Sequence, residues 1–224
     1  MANGLVVGGD IVPTDAVVAN CDSEHLYRDL LPRQGRLRRA LRAGRSSSGF
    51  ALMLGVAGNT PGIAHHNVYF SGDQRVEFTD IFGENGSGVP RDPTIYVCCS
   101  SVTDATAAPT GKENWFVLVN VAAGAQAQWD EYRDMLTQRL GLTGRIEVSE
   151  MITPDDIADR YRAPGGAIYG TSSNSRSSAF LRAANRGPVH RLYLCGGSAH
   201  PGGGLPLVAM SGAIAAAMVQ ADLQ

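Results

Sequence analysis

The sequence predicts an α/β fold in which an antiparallel sheet with helices lies between two pieces of a second domain. The C-terminal stretch supports the second domain, because the apolar run Leu192–Cys195 is typical of a buried strand and is followed by a glycine-rich loop and an apolar helix. Residues 15–20 form a near-continuous apolar run of the kind found in buried parallel strands. Two more apolar runs, 94–100 and 114–121, are joined by a link too short for a crossover helix, so they predict antiparallel pairing.

Composition narrows the class of protein. The chain has 224 residues, of which 44% are hydrophobic and 18% are charged, enough for one large or two small folded domains. A formal charge of -2 provides no overall attraction for nucleic acid. The four cysteines show no C-x-x-C spacing, which predicts buried thiols in a reducing compartment. No run reaches the roughly 20 apolar residues that span a bilayer, and no signal-peptide pattern follows Met1, so we expect a cytoplasmic location.

Turn and capping residues divide the rest of the chain into short elements. The predicted elements are a hairpin around Gly8-Gly9, a helix over 24–31 capped by Ser23, strands over 46–56 and 65–70, a helix over 126–140, a strand over 145–151 and a helix beginning at Thr153-Pro154. The helix over 126–140 carries Trp129, Tyr132, Met135, Leu136 and Leu140 on one side, which predicts the face that packs on a core.

Two polar features could be read as binding sites. Neighbouring His65 and His66 suggest a metal site, but adjacent side chains of a strand point to opposite faces, so we expect no metal ligand set there. Six arginines lie between residues 33 and 45 with no acidic residue among them. This cluster is either a solvated helix face or a basic patch that meets anionic lipid headgroups, in which case the protein associates peripherally with the membrane.

The stretch from Gly196 to Leu207 is the candidate ligand site. A strand, a glycine loop and a helix start place unpaired N–H groups and the positive end of the helix dipole beside the loop. Pro206 suits the first helical turn, and the glycines allow a ligand to approach bare backbone. The arrangement suits a phosphate or another delocalised anion, although a glycine turn that only packs a helix on a sheet has the same pattern.

The letters of this stretch, GGSAHPGGGLPLVAMSG, resemble the C-terminal flavin motif of the phytoene desaturase family, the bacterial-type carotenoid desaturases. The residues that match its G-x-[ST]-x-H-P-G-x-G-x-P run and the Ser-Gly of the following helix are Gly196, Ser198, His200, Pro201, Gly202, Gly204, Pro206, Ser211 and Gly212. Ala199 and Leu207 are departures from the pattern of many members. The Gly-Gly-Ser opening and the Pro-Leu pair look closer to relatives that act on desaturated or terminal parts of carotenoids, which leaves the substrate open. Residues 9–22, 64–70 and 101–111 are similar to further segments of the same family.

The resemblance implies an FAD-dependent oxidoreductase that acts on a long apolar polyene. It implies a flavoprotein fold in which residues 1–22 and 180–224 complete an FAD-binding Rossmann-like domain and residues 23–179 form the substrate domain. The cofactor-binding residues that it implies are Gly196, Gly197, Ser198, His200, Gly204, Leu205, Pro206 and Leu207. It also places Tyr169, Asn174 and Arg176 beside the active-site channel. No catalytic base is identified, and His200 either moves a proton or fixes the loop by a hydrogen bond.

The resemblance covers only the C-terminal part of the family. No strand–G-x-G-x-x-G–helix unit for the ADP half of FAD occurs in this sequence, so we expect a fragment or a split-gene product with a separately encoded N-terminal half as partner. Two alternatives remain open. One is a non-catalytic remnant or binding module, and the other is a related end-group desaturase, oxygenase, saturase or isomerase.

Overall fold

The structure is a computed structural model that describes residues 1–31, 44–172 and 182–224. The strands are β1 (Gly4–Val7), β2 (Asp10–Pro13), β3 (Val17–Ala19), β4 (Ser48–Ala57), β5 (His66–Tyr69), β6 (Ile95–Cys98), β7 (Lys112–Val121), β8 (Ile146–Ile152) and β9 (Leu192–Leu194). The α-helices are α1 (Ser23–His25), α2 (Gln74–Phe82), α3 (Trp129–Arg139), α4 (Pro154–Tyr161) and α5 (Leu205–Leu223). The mixed α/β class predicted from the sequence is confirmed.

The described chain forms two compact units, one from residues 1–47 with 157–224 and one from residues 48–156. These bounds differ from the functional division at residues 22 and 179, which stays a prediction. In the first unit β3 and β9 pair in parallel, with Val17 opposite Leu192 and Val18 opposite Tyr193. The expectation that the start and the end of the chain share a domain is therefore confirmed, as is the hairpin of β1 and β2 around Gly8-Gly9.

The strand β3 is not buried as its apolar sequence predicts. Val17 and Ala19 are half-buried, and Val18 is 50% exposed. Parallel strands are shielded from water when a sheet is covered on its faces and has several strands. In the described part of the chain this sheet contains β3 and β9 only.

The first helix begins with a different cap from the one predicted. Asp22 is the N-cap, and its carboxylate accepts a hydrogen bond from the Glu24 N–H at 2.8 Å. Ser23 is the first helical residue. After His25 the chain continues as a π-helical turn over Leu26–Leu30, closed by the Leu31 N–H to the Leu26 carbonyl at 2.9 Å, so the predicted α-helix over 24–31 is too long.

Most of the arginine cluster lies outside the described residues. Arg45 is described, and its guanidinium pairs with the buried Glu24 carboxylate at 3.0 Å. Arg45 is therefore engaged within the first unit, and only the remainder of the cluster stays a candidate for contact with lipid.

The second unit is built on a five-stranded antiparallel sheet with strand order β5-β6-β7-β4-β8. β4 and β7 pair along ten residues, from Ser48 opposite Val121 to Ala57 opposite Lys112. The core lies on the face that α3 covers, where the Phe50 and Trp129 rings stack with centroids 4.9 Å apart. The predicted antiparallel pairing and the predicted apolar face of the helix are both confirmed.

A buried carboxylate anchors one end of this core. Glu113 accepts hydrogen bonds from the Thr60 N–H at 2.6 Å, the Thr60 hydroxyl at 2.8 Å and the Trp115 indole N–H at 2.9 Å. Burial raises the pKa of Glu113, but these hydrogen bonds and the Arg145 charge outweigh burial and leave the pKa below its usual value.

Within the described part of the chain, the opposite face of this sheet is partly exposed and largely apolar. Strand register places Val68, Tyr96, Phe116, Leu118 and Met53 together on it. Val68 and Phe116 are exposed, and the other three are partly buried. We refer to these five residues as the open face.

The expectation that His65 and His66 point to opposite faces is wrong. Their ring centroids are 4.4 Å apart, because His65 precedes β5 and so lies outside the alternation of the strand. His66 is directly opposite Cys98 in the antiparallel pair of β5 and β6. The sequence argument used neighbouring positions only and missed a cysteine that register brings alongside.

Two predictions about burial are also wrong. The apolar sequence of α5 predicts a buried helix, but Ser211 and Ala215 are the only fully buried residues in it. By length and composition alone, α5 could cross a membrane, and 11% of its apolar segment is buried. The expectation that no apolar run reaches the length of a membrane span is therefore corrected. Among the cysteines Cys99 is buried, whereas Cys21, Cys98 and Cys195 are half-buried.

Candidate cofactor-binding site

The strand that leads into the glycine loop is held on both sides. All three residues of β9 are buried. On one side the Cys195 N–H donates to the Ala19 carbonyl at 3.0 Å, and on the other the Leu194 N–H donates to the Asn185 carbonyl at 2.8 Å. The loop therefore starts from a fixed point.

Two glycines of the loop are required by close contacts. Gly196 has φ +100°, and a Cβ there would collide with the side-chain oxygen of Asn20. A Cβ on Gly203 would collide with the Tyr169 ring. The loop is thus packed against its own chain at these two points, which the glycine-turn alternative also requires.

A buried amide that the sequence analysis missed joins the strand, the loop and the helix. The Asn185 side-chain nitrogen lies 3.0 Å from the Leu194 carbonyl, 2.9 Å from the His200 carbonyl and 3.0 Å from the Ser211 hydroxyl. Ser211 in turn donates its hydroxyl proton to the His200 carbonyl at 2.7 Å. Asn185 is 3% exposed and Ser211 is fully buried, so this network sets the shape of the loop. Its sequence signal, a single Asn in a polar stretch, does not distinguish it from a turn residue.

Arg182 is a second contact that the sequence did not indicate. Its guanidinium donates to the Gly197 carbonyl at 2.8 Å and to the Tyr169 carbonyl at 3.0 Å. Burial lowers the pKa of Arg182, because desolvation disfavours the charged form. The positive charge of this side chain lies beside the loop backbone.

The predicted site residues differ in whether their side chains are engaged within the protein or exposed to solvent. Ser198 is buried, and its hydroxyl accepts from the Ser23 N–H at 2.9 Å, so this side chain is engaged in holding the start of α1. His200 has its N–H bonded to the Ala183 carbonyl at 2.8 Å, while its side chain is exposed. The imidazole of His200 is therefore available to solvent or to a ligand.

The start of α5 is open. Gly204 has φ +96° and is the N-cap, and the space where its Cβ would lie is free of other atoms within 4 Å. Leu205, Pro206 and Leu207 are all exposed, and the first turn holds no acidic residue. The Val208 N–H makes the first intrahelical bond, to the Gly204 carbonyl at 2.9 Å, so the preceding N–H groups face outward. These residues fit the anionic edge of a cofactor.

All eight predicted cofactor-binding residues lie in this loop and the first turn of α5. The loop folds back on itself, because a Cβ atom placed on Gly197 would lie 3.6 Å from the Gly203 Cα atom. Tyr169 lies against the loop, as the contact with Gly203 requires. Asn174 and Arg176, the other two channel candidates, are outside the described residues. Contact of these residues with FAD stays a prediction.

A strand, a glycine loop and an open helix start within a mixed α/β chain form an arrangement that can hold an anion at a helix N-terminus. Comparisons with known proteins identify relatives of this chain. The chain is 33% identical over 216 residues to a 1-hydroxycarotenoid 3,4-desaturase from Flavobacterium sp. (strain P99-3), a match that covers 92% of this chain and 44% of the relative. It is 32% identical over 220 residues to a 4,4'-diaponeurosporene oxygenase from Staphylococcus aureus (strain MRSA252), covering 91% of this chain and 44% of that relative.

A solved oxidoreductase from Methanosarcina mazei has the same fold over 96% of this chain and 45% of its own, with a TM-score of 0.55 and 14% identity. No family profile matches the chain. The chain belongs to the carotenoid desaturase family and corresponds to the C-terminal part of its members. It spans less than half the length of the curated relatives that it matches.

Proposed function

We propose that this chain supplies the C-terminal flavin-contacting segment and the substrate-binding domain of an FAD-dependent oxidoreductase of carotenoid biosynthesis. The reaction is the introduction of C=C bonds into a polyene, as in phytoene desaturases. The observation that carries the proposal is the open start of α5 beside a glycine loop whose shape is fixed by buried hydrogen bonds. When bound, FAD would accept the hydrogen that leaves the polyene carbon as hydride.

The chain's own groups have three roles in this proposal. The outward N–H groups of Leu205 and Leu207, with the positive end of the helix dipole, stabilise negative charge at the cofactor. Gly196 and Gly197 bring backbone close to its ribityl–pyrophosphate region. The His200 imidazole, exposed beside the helix start, is either a proton carrier or a loop contact, and no catalytic base is assigned.

The open face of the second unit supports a polyene as substrate. Val68 and Phe116 expose apolar surface there, and a long hydrocarbon would bury that surface with a gain of roughly 25 cal/mol per Å². The relatives are named as a desaturase and an oxygenase, so oxygenation, like saturation or isomerisation, is an alternative outcome at the same kind of site. Analysis of the carotenoid products of the assembled enzyme separates these reactions.

We further propose that a dinucleotide-binding half, from a separate chain or from additional sequence, completes the cofactor site. Among the described residues, no strand pairs with the outer edge of β3 in the first unit, which supports this. Val17 and Ala19 direct their backbone groups to β9, so the N–H and C=O of Val18 point to the other side of β3. Val6, Ile11 and Leu205 are also exposed in this unit. The alternative, a non-catalytic remnant, has the same exposed surface but no cofactor.

The proposed location is the cytoplasm with peripheral attachment to the membrane. The arginines of the cluster other than Arg45 would each add about 1 kcal/mol at an anionic surface, reduced by salt. The test is flotation with anionic vesicles at low and high salt. Binding that is insensitive to salt would point instead to the apolar α5.

The experiment that tests the function is co-expression with the dinucleotide-binding half of a relative. We expect the assembled protein to carry flavin absorbance and to convert a polyene, whereas the chain alone is nearly colourless. Gly204→Val should abolish flavin retention, because the side chain would fill the space at the helix start. Gly9→Val is the matched control, since Gly9 has φ +100° and equally open space but lies in the β1–β2 turn. Full flavin occupancy in the Gly204→Val protein would remove the site from the proposal.

A further inference from the structure

Three side chains of residue types that bind metals lie close together at one end of the open face, away from the glycine loop in sequence. His66 and Cys98 are paired across β5 and β6, and His65 lies immediately before β5. The ligand atoms of these three side chains all lie within 4.8 Å of one another. His66 is exposed and the other two are half-buried, so an ion can reach all three.

One ring nitrogen of His65 contacts a neighbouring hydroxyl. The Nδ1 atom lies 2.6 Å from the Thr103 hydroxyl oxygen, and that hydroxyl lies 3.3 Å from the Ser100 carbonyl oxygen. With the Thr103 proton directed to the Ser100 carbonyl, the hydroxyl accepts from Nδ1–H. The neutral ring then carries its lone pair on Nε2, the form that binds a metal.

His66 is oriented in the same way by a tyrosine. Its Nδ1 atom lies 2.8 Å from the Tyr96 hydroxyl. When this hydroxyl accepts from Nδ1–H, Nε2 is the ring nitrogen that carries the lone pair. Metal-binding histidines characteristically have their other ring nitrogen bonded in this manner, because the second contact fixes the ring and its tautomer.

We propose that His65, His66 and Cys98 form a binding site for a divalent transition metal of the zinc class. Two imidazoles and one thiolate suit zinc or cobalt, and water completes a tetrahedral set. Metal–ligand bonds of about 2.0–2.3 Å place the ligand atoms of a tetrahedral site roughly 3.3–3.8 Å apart. Small side-chain rotations would therefore bring these three ligand atoms to the distances that a metal requires. On binding, the Cys98 thiol releases its proton and the metal–sulfur bond forms without any change in oxidation state.

The test is titration of the full chain with Co²⁺ under a reducing agent. We expect thiolate-to-cobalt charge-transfer absorption and the intense visible bands of tetrahedral cobalt, both lost when Zn²⁺ is added. Cys98→Ser should abolish the charge-transfer band, and His66→Ala should weaken binding by at least about 100-fold. Thr103→Val, which removes only the acceptor of His65, should weaken it by about 10–100-fold.

Two control variants make the test specific. Cys21→Ser changes another half-buried cysteine, and His190→Ala changes another exposed histidine, both outside the second unit. Both should bind cobalt as the unchanged chain does. Trp115 and Trp129 belong to the second unit, so their fluorescence shows whether each variant of that unit is folded. Absence of tetrahedral cobalt absorption in the folded chain, or a charge-transfer band that survives Cys98→Ser, would overturn the proposal.

Discussion

Asn185 provides the sharpest test of how the glycine loop is held. Its side-chain nitrogen has acceptors at 2.9–3.0 Å in the strand, the loop and the helix, and two protons to share among them. In Asn185→Ala the His200 carbonyl keeps the Ser211 hydroxyl, but the Leu194 carbonyl loses this side-chain donor. A buried acceptor without a partner costs about 1–3 kcal/mol. We expect destabilisation of about 2 kcal/mol, or roughly 4–8 °C in Tm for a chain of this size.

The assay has to report on the first unit. Both tryptophans lie in the second unit, so fluorescence alone would miss the effect. Hydrogen exchange of peptides covering 183–200 measures the protection of β9 and the loop directly. Gln220→Ala removes an exposed amide from α5 and is the matched control. If Asn185→Ala leaves exchange and Tm no lower than this control, the network does not hold the loop.

Two more predictions concern carboxylates. Asp222 accepts hydrogen bonds from Arg186 and, at 2.6 Å, from the Tyr193 hydroxyl, and these lower its pKa from 3.8 to about 2. A carboxyl whose pKa is lower in the folded than in the unfolded state stabilises the fold at any pH above its unfolded pKa. The difference in unfolding free energy between the unchanged protein and Asp222→Asn should therefore be constant above about pH 4 and vanish as the pH falls through about 2. Urea unfolding at stepped pH measures it, and a difference that persists below pH 2 contradicts the assignment. Glu113→Gln should destabilise the second unit by about 2–3 kcal/mol because three hydrogen bonds to a buried charge weaken. Tryptophan-monitored unfolding tests it against Glu147→Gln, an exposed salt-bridge partner of small expected effect.

Local patterns predicted the elements well where the chain decides its own structure. The hairpin at Gly8-Gly9, the antiparallel strands and the apolar side of α3 all follow from turn residues and periodicity, and the structure has them. Helix α2 was missed because its apolar residues do not form one core-facing side: Ile81 is buried, whereas Phe78 and Phe82 are exposed. Its N-cap Asp73, which accepts from the Arg75 N–H at 2.8 Å, was the available signal.

Contacts between residues that are far apart in the sequence could not be predicted from local patterns. The pairing of His66 with Cys98 depends on strand register, and the role of Asn185 depends on three segments meeting in space. The predictions that β3 and α5 are buried failed for a related reason. The apolar sequences of β3 and α5 predict burial, but a segment is buried only if other elements cover it, and in the described chain few do.

The buried network also changes what the Ser211 and Gly204 variants are expected to show. By its position in the sequence Ser211 lies two turns from the helix start, which predicts little effect of Ser211→Ala. In the structure its hydroxyl is fully buried and bonded to the His200 carbonyl, so its loss should loosen the loop and lower flavin retention and Tm together. Gly204 makes no such contact, and Gly204→Val should lower flavin retention beyond what the Gly9→Val control loses for the same backbone strain. Ser211→Ala therefore tests the shape of the loop, and Gly204→Val tests its contact with the cofactor. If flavin retention falls in proportion to Tm in both variants, the loop has only a structural role.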